Sequence, residues 1–151
     1  MNPIRHILVA VDFDETSQRA LDYAVGLAPQ LGARLTAVHA YAIPVLNTLD
    51  AEYIPTASSA AQLAETHQKH LDALIAPLKA KGVAIEGVLR VGAAPEEVCA
   101  VARDLGVDLI VVGSHGRGAI ERALLGSVAN TILREATVPV LTVREPHPPA
   151  T

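Results

Sequence analysis

The apolar positions of this chain switch between two rhythms. Ile7-Leu8-Val9-Ala10-Val11 is a short, unbroken apolar run, the pattern of a strand buried on both faces of a parallel sheet. Asp12, Asp14, Thr16 and Ser17 follow with the short polar side chains that start helices. Ala20, Leu21, Ala24, Val25, Ala28 and Leu31 then recur at helical spacing. Gly32 closes that helix, and Pro29 disturbs its last turn. Leu35-Thr36-Ala37-Val38-His39-Ala40 reads as a second strand. Between Tyr41 and Ala57 the chain reads as irregular, with Pro44 and Pro55 inside it; a loop of that length in a small domain is commonly functional or mobile.

Helical spacing returns from Ser58 to Lys81 through Leu63, Leu71, Leu74, Ile75 and Leu78, with a kink expected at Pro77 and a stop at Gly82. Residues 85–91 form a third strand, with Gly87 as its weak spot. Gly92 turns the chain. Pro95-Glu96-Glu97 then opens a helix well, since proline suits the first turn and acids suit the positive end of the helix dipole. Val98, Val101, Ala102 and Leu105 face inward, and Gly106 ends that helix. Leu109-Ile110-Val111-Val112 is a fourth buried strand, residues 127–135 a fourth helix, and Pro139-Val140-Leu141-Thr142-Val143 the last strand. Strands and helices alternate throughout, which calls for one open parallel five-stranded sheet with helices on both faces.

Size and composition narrow the picture. The 151 residues suit one domain, taken as residues 1–144, with a proline-rich, flexible tail over residues 145–151. Half the residues are hydrophobic, but there is one Phe, three Tyr and no Trp, so Ala, Val, Leu and Ile must build the core. Scarce aromatics and a net charge of −4 argue against a nucleic-acid partner. Cys99 is the single cysteine, which excludes an intrachain disulfide and a cysteine zinc site. The first apolar run is too brief for a signal peptide, and no run reaches the roughly 18 residues of a membrane span. A cytoplasmic location with no membrane insertion is expected.

Two strand ends carry unusual chemistry. In open α/β sheets, ligands sit beyond the carboxyl ends of strands where the strand order reverses. The first strand ends at Val11-Asp12; the fourth runs into Gly113-Ser114-His115-Gly116-Arg117-Gly118. Gly113, Gly116 and the pair Gly126-Ser127 are spaced as a phosphate cradle would be, with Ser127 expected as the N-cap of the helix behind it. Arg117 and Arg122 lie between and could add positive charge. No Gly-Lys-Ser/Thr follows, so this is not a P-loop. A dinucleotide GxGxxG would follow the first strand, not the fourth.

These residues together resemble the universal stress protein family. The pattern Gly113-x2-Gly116-x9-Gly126-Ser127 is similar to that family's ATP-binding signature. The opening strand with Asp12, Thr16 and Ser17, His39 near the end of the second strand, and Val138-Pro139-Val140-Leu141-Thr142-Val143 match as well. The resemblance spans about residues 5–144. It implies a Rossmann-like fold of the adenine nucleotide alpha hydrolase type, with strand order 3-2-1-4-5. It also implies ATP, with ADP or AMP as alternatives and Mg2+ or Mn2+ accompanying it, held between the first and fourth strands. Ala10, Val11 and Asp12 would meet adenine and ribose, with Ala40 beside the adenine. Val112, Gly113, His115 and Gly116 would line the ribose and phosphate side, and Gly126, Ser127 and Val128 would bind phosphate. The family pattern further implies a homodimer through the last strand, Val138 to Val143, acting as a stress-response or signalling module on an unknown protein partner.

Plainer readings stand beside these. Asp12 could be a cap, and the glycines mere turn chemistry. His115 has no visible acid partner and reads as a contact rather than a base. His67 and His70 read as a solvated helix face rather than a metal site, Cys99 as a packing residue, and the Leu63, Leu71, Leu74, Leu78 stripe as core. Two rival functions remain: slow ATP hydrolysis or self-phosphorylation, for which Asp12, His115, Ser114 and Ser127 form no recognisable constellation, and a dimer that binds no nucleotide.

Overall fold

The computed structural model describes residues 1–44, 46–48, 51–53, 56–115 and 125–145, with backbone alone at 46–48 and 51–53. In chain order the elements are β1 (His6–Ala10), α1 (Glu15–Leu31), β2 (Arg34–Tyr41), β3 (Leu46–Thr48), β4 (Ala51–Tyr53), α2 (Ala57–Ala80), β5 (Ile85–Val91), α3 (Ala94–Leu105), β6 (Leu109–Gly113), α4 (Ser127–Glu135) and β7 (Val140–Val143). The five long-range strands form one parallel sheet in the order β5-β2-β1-β6-β7. Counting only these strands, that is 3-2-1-4-5. β1 is therefore central: Ile7 lies opposite Leu35 on one side and Leu109 on the other.

The unbroken apolar runs are explained by burial on both faces. Ile7 and Val9 pack with Leu21, Leu35 and Leu71 under α1 and α2. Leu8 turns the other way and packs with Val38, Val101, Ile110 and Ile132 under α3 and α4. Full burial of such a side chain is worth about 1.5–3 kcal/mol, so a strand polar on either face would forfeit one of the two layers. Gly32 and Gly106 end α1 and α3 in the left-handed conformation, each donating its N–H back into the last helical turn.

Three expectations are corrected in detail. The connection between Tyr41 and Ala57 is not wholly irregular: β3 and β4 pair antiparallel within it, Asn47 opposite Glu52. Three-residue strands are too short to show a period. Gly87 is not a weak spot but a contact, since a Cβ there would lie 3.0 Å from Ile75 Cδ1 and 3.1 Å from Leu71 Cδ2. Glycine lets α2 settle directly on β5. Finally, the N-cap of α4 is Gly126, and Ser127 is already helical. Of the tail, Glu145 is described and pairs with Arg19 at 2.9 Å; residues 146–151 lie outside the described residues.

Candidate functional site

The turn from β1 into α1 is built on short hydrogen bonds. Val11 N–H still donates to Val38 O at 2.9 Å, extending the sheet by one residue. Asp14 N–H then donates to Asp12 Oδ1 at 3.1 Å, and Asp12 N–H to Ser17 Oγ at 3.2 Å. Asp14 is the N-cap of α1, its Oδ1 accepting from Ser17 N–H at 2.7 Å. Burial, and next to it the hydrogen-bonded carboxylate of Asp12, push the Asp14 carboxyl above its ordinary range. Phe13, between the two acids, has φ of 65°. That left-handed conformation costs a non-glycine residue about 1–2 kcal/mol. Its ring packs on His39 at 4.4 Å between centroids and meets His70 edge-on at 5.5 Å, contacts that hold the turn in place.

The end of β6 is fixed from both sides. A Cβ on Gly113 would lie 2.6 Å from Thr16 Cγ2 and 3.0 Å from Thr16 O, so only glycine lets the first turn of α1 lie against the strand. Ser114 is fully buried; its N–H donates to Val143 O at 2.9 Å, and its carbonyl accepts from Gly126 N–H at 2.5 Å. The second bond brings the start of α4 to the end of β6. The first intrahelical bond of α4 runs from Asn130 N–H to Gly126 O at 3.0 Å. The N–H groups of residues 127–129 therefore have no acceptor within the helix, and Gly126 has no side chain to cap them.

Between these two strand ends opens a cavity of about 530 Å³, counted to its solvent mouth. Ala10, Val11, Asp12 and Ser17 form one wall, Val112, Gly113 and His115 the next, and Val128 and Ala129 of α4 a third. Val38 and Ala40 of β2 with Ala94 and Val98 of α3 close the apolar end. His115 Nδ1 is buried there with no hydrogen-bond partner among the described residues. The pairing of apolar walls with a few polar groups is that of a small-molecule site.

The sequence pattern of the universal stress protein family matches residues 3–144. The chain belongs to the universal stress protein family. It is 35% identical over 144 residues to universal stress protein YxiE of Bacillus subtilis, covering 91% of this chain and 97% of that one. Among solved structures it is similar to MJ0577, a protein of Methanocaldococcus jannaschii, with a TM-score of 0.77 at 23% identity, covering 97% and 100% of the two chains. That likeness shows the fold. A universal stress protein solved in complex with cAMP has a TM-score of 0.66 and 28% identity, covering 95% of this chain and 98% of that one.

In this universal stress protein, eight of the residues singled out from the sequence share the cavity wall: Ala10, Val11, Asp12, Ala40, Val112, Gly113, His115 and Val128. Gly126 and Ser127 are off the wall and immediately precede it at the start of α4. Gly116, with Arg117, Gly118 and Arg122, lies outside the described residues. The sequence reading missed Ser17, Val38, Ala94, Val98 and Ala129. Ala94 and Val98 are four apart on one helix face, a signal that means something only once β5 is known to lie beside β2. Two further readings are settled. His67 and His70 are not a bare solvated face: His67 Nδ1 lies 2.9 Å from His39 Nε2 and stacks on Tyr41, and His70 meets Phe13. Cys99 is buried, which pushes its thiol up and suits a packing residue. Among the described residues no helix is long and apolar enough to cross a membrane.

Proposed function

We propose that this universal stress protein binds an adenine nucleotide, ATP in the first place, in the cavity between β1 and β6, and acts as a nucleotide-dependent stress-response module. The observation that carries the reading is the uncapped start of α4 facing the Asp12 turn across an apolar cleft. The cleft lies where the order of strands reverses, the usual ligand position in such sheets. The residues present fit the ligand. Ala10, Ala40 and Ala94 leave room for a flat base among valines, and the Asp12 carboxylate can accept from ribose hydroxyls. The free N–H groups of residues 127–129 suit phosphate oxygens, and the orphaned His115 Nδ1 would gain a partner. The similar protein in complex with cAMP supports an adenine ligand of this size. Among the described residues no cluster of His, Cys, Asp or Glu forms a metal site, so Mg2+ or Mn2+ would come with the phosphates.

The test is calorimetric titration with ATP of the wild type and of Ala40→Trp, which fills the apolar end of the cleft. Micromolar or tighter binding to the wild type, lost in the variant while circular dichroism is retained, is expected. No heat with the wild type, or equal affinity in both, would overturn the reading. A second copy is proposed to pair with the outer edge of β7, whose four residues are all half-buried at the rim of the sheet. Light scattering at the mass of one 15.8 kDa chain would overturn that part.

A further inference from the structure

One imidazole holds the nucleotide-site turn in place. His39 is buried on β2, with Nδ1 2.8 Å from the carbonyl oxygen of Val11, a residue of the cavity wall. A carbonyl can only accept, so His39 Nδ1 carries the hydrogen, and in the neutral ring Nε2 holds a lone pair. His67 of α2 meets that lone pair with its own Nδ1 at 2.9 Å and therefore donates. The ring planes are inclined at 26° with centroids 5.0 Å apart, so the rings meet nearly edge to edge through the Nδ1···Nε2 contact. Phe13, next to Asp12, packs on the other side of His39, and Tyr41 stacks on His67 at 4.1 Å and 7°. The chain of contacts runs from the cavity wall through His39 to helix α2.

We propose that the His39–His67 pair is a proton-sensitive strap joining α2 to the Val11–Phe13 turn, closed when at most one proton is added to the neutral pair and opened by the second. The ligand half of this inference rests on the nucleotide reading above. The proton count follows from the geometry. A first added proton goes to His67 Nε2, and the Nδ1–H···Nε2 bond survives. A second can go only to His39 Nε2, which sets N–H against N–H between two cations. The hydrogen bond is lost, and with it the support of α2 for the imidazole that positions Val11.

Among the described residues the titratable groups around the pair are few. Tyr41 shares β2 with His39, His70 lies one turn along α2 from His67, and Asp12 and Asp14 flank Phe13 in the turn. On the rest of α2, Glu65 pairs with Lys69, and Asp72 accepts from Gln68. On β5, which also packs on α2, Glu86 is held by Lys79 and Arg90 by Asp104. Burial, and after it the charges of His39 and then His70, hold His67 below the ordinary imidazole range. The native fold thus binds protons at His67 less readily than the unfolded chain does. The first proton, on His67, therefore arrives below the ordinary imidazole range and leaves the strap closed; the strap is intact above about pH 6.5 and opens only in the more acidic range where the pair takes its second proton.

The experiment has two arms. In the ligand-free protein, nitrogen NMR of the imidazoles is followed from pH 8 to pH 5. The expected result is Nδ1–H in both rings at high pH and, in acid, a joint change of the His39 and His67 signals with the backbone amides of residues 11–13. Independent titration of the two rings with no movement of those amides would overturn the strap. In the second arm, ATP affinity is measured at pH 7.5 and 5.5 for the wild type and His67→Asn, whose amide donates to the neutral His39 ring and, turned over, accepts from the protonated one, so that its strap stays closed in acid. The titration of ATP itself is common to both proteins. The wild type is expected to lose about tenfold more affinity on acidification than the variant, the effect of roughly one coupled proton. Equal losses would overturn the coupling. Absence of ATP binding to the wild type at pH 7.5 would fail the nucleotide reading and the coupling with it, while the NMR arm would still judge the strap alone.

Discussion

Of the three helices that begin at the cavity, α1 and α4 begin in opposite ways. The start of α1 is closed: Asp14 caps it, Asp12 braces the cap, and Glu15 adds a third acid in the first turn. The start of α4 is open: Gly126 offers no cap, and no acid stands in the first turn. Both ends carry the same partial positive charge and the same unpaired N–H groups. At α1 the Asp14 carboxylate accepts from one of them, Ser17 N–H, and acids surround the turn with negative charge. At α4 it leaves them unclaimed beside a cleft. A helix start can become an anion site through what is withheld from it, and on the proposed function the placement of acids would keep phosphate on the α4 side of the cleft.

The comparison breaks most sharply at Gly126. Its backbone, φ −69° and ψ 161°, is the extended conformation of an ordinary N-cap, so Gly126→Asp can cap α4 from within. Helix stability should gain only a few tenths of a kcal/mol over glycine. ATP affinity should fall about 100-fold, because the new carboxylate takes the phosphate's donors and repels it. Calorimetry and a thermal melt together check this, and full affinity in Gly126→Asp would mean that the start of α4 holds no anion.

A smaller effect tests how rigidly the two starts are held together. Gly113→Ala drives a methyl group into Thr16, 2.6 Å from Cγ2 and 3.0 Å from a backbone oxygen that cannot easily yield. A cost of about 1–3 kcal/mol is expected, several degrees in Tm for a chain of this length. A melt unchanged within a degree would show that α1 can move away from β6 freely.

The smallest effect concerns charge at the closed end. Because the native fold holds the Asp14 carboxyl above its ordinary range, the folded chain binds that proton more tightly than the unfolded one. The contribution of Asp14 to stability therefore falls as pH rises from about 4, and the loss is complete at neutral pH. Asparagine in the same place would cap as well as aspartate without the charge. Asp14→Asn should melt about a degree higher than the wild type at pH 7, with the gap closing as pH falls towards 4. A gap that widens in acid would contradict the sign.

Most of the cleft could be read before folding. Ala10, Val11 and Asp12 stood at the end of a buried strand, Gly113 and His115 at the end of another, and the sheet order made those ends neighbours. Gly113 was read for its openness to a ligand, and the structure adds a second reason in the close approach of Thr16. The apolar end was missed at Val38, Ala94 and Val98, because a helix face shows that it is buried and not what it is buried against. His67 was misjudged for the same reason: its partners His39 and Tyr41 lie on a strand 28 and 26 residues earlier in the chain.

The sequence by itself determined the alternation of strands and helices, the burial of both sheet faces and the chemistry of each strand end. Those features rest on neighbours within one or two turns of chain, where periodicity, capping and glycine act. Only the tertiary structure decided that α3 closes the apolar end of the cleft, that α4 starts uncapped on Gly126, and that His67 reaches His39. These depend on packing distances between elements far apart in the chain, which local periodicity does not encode.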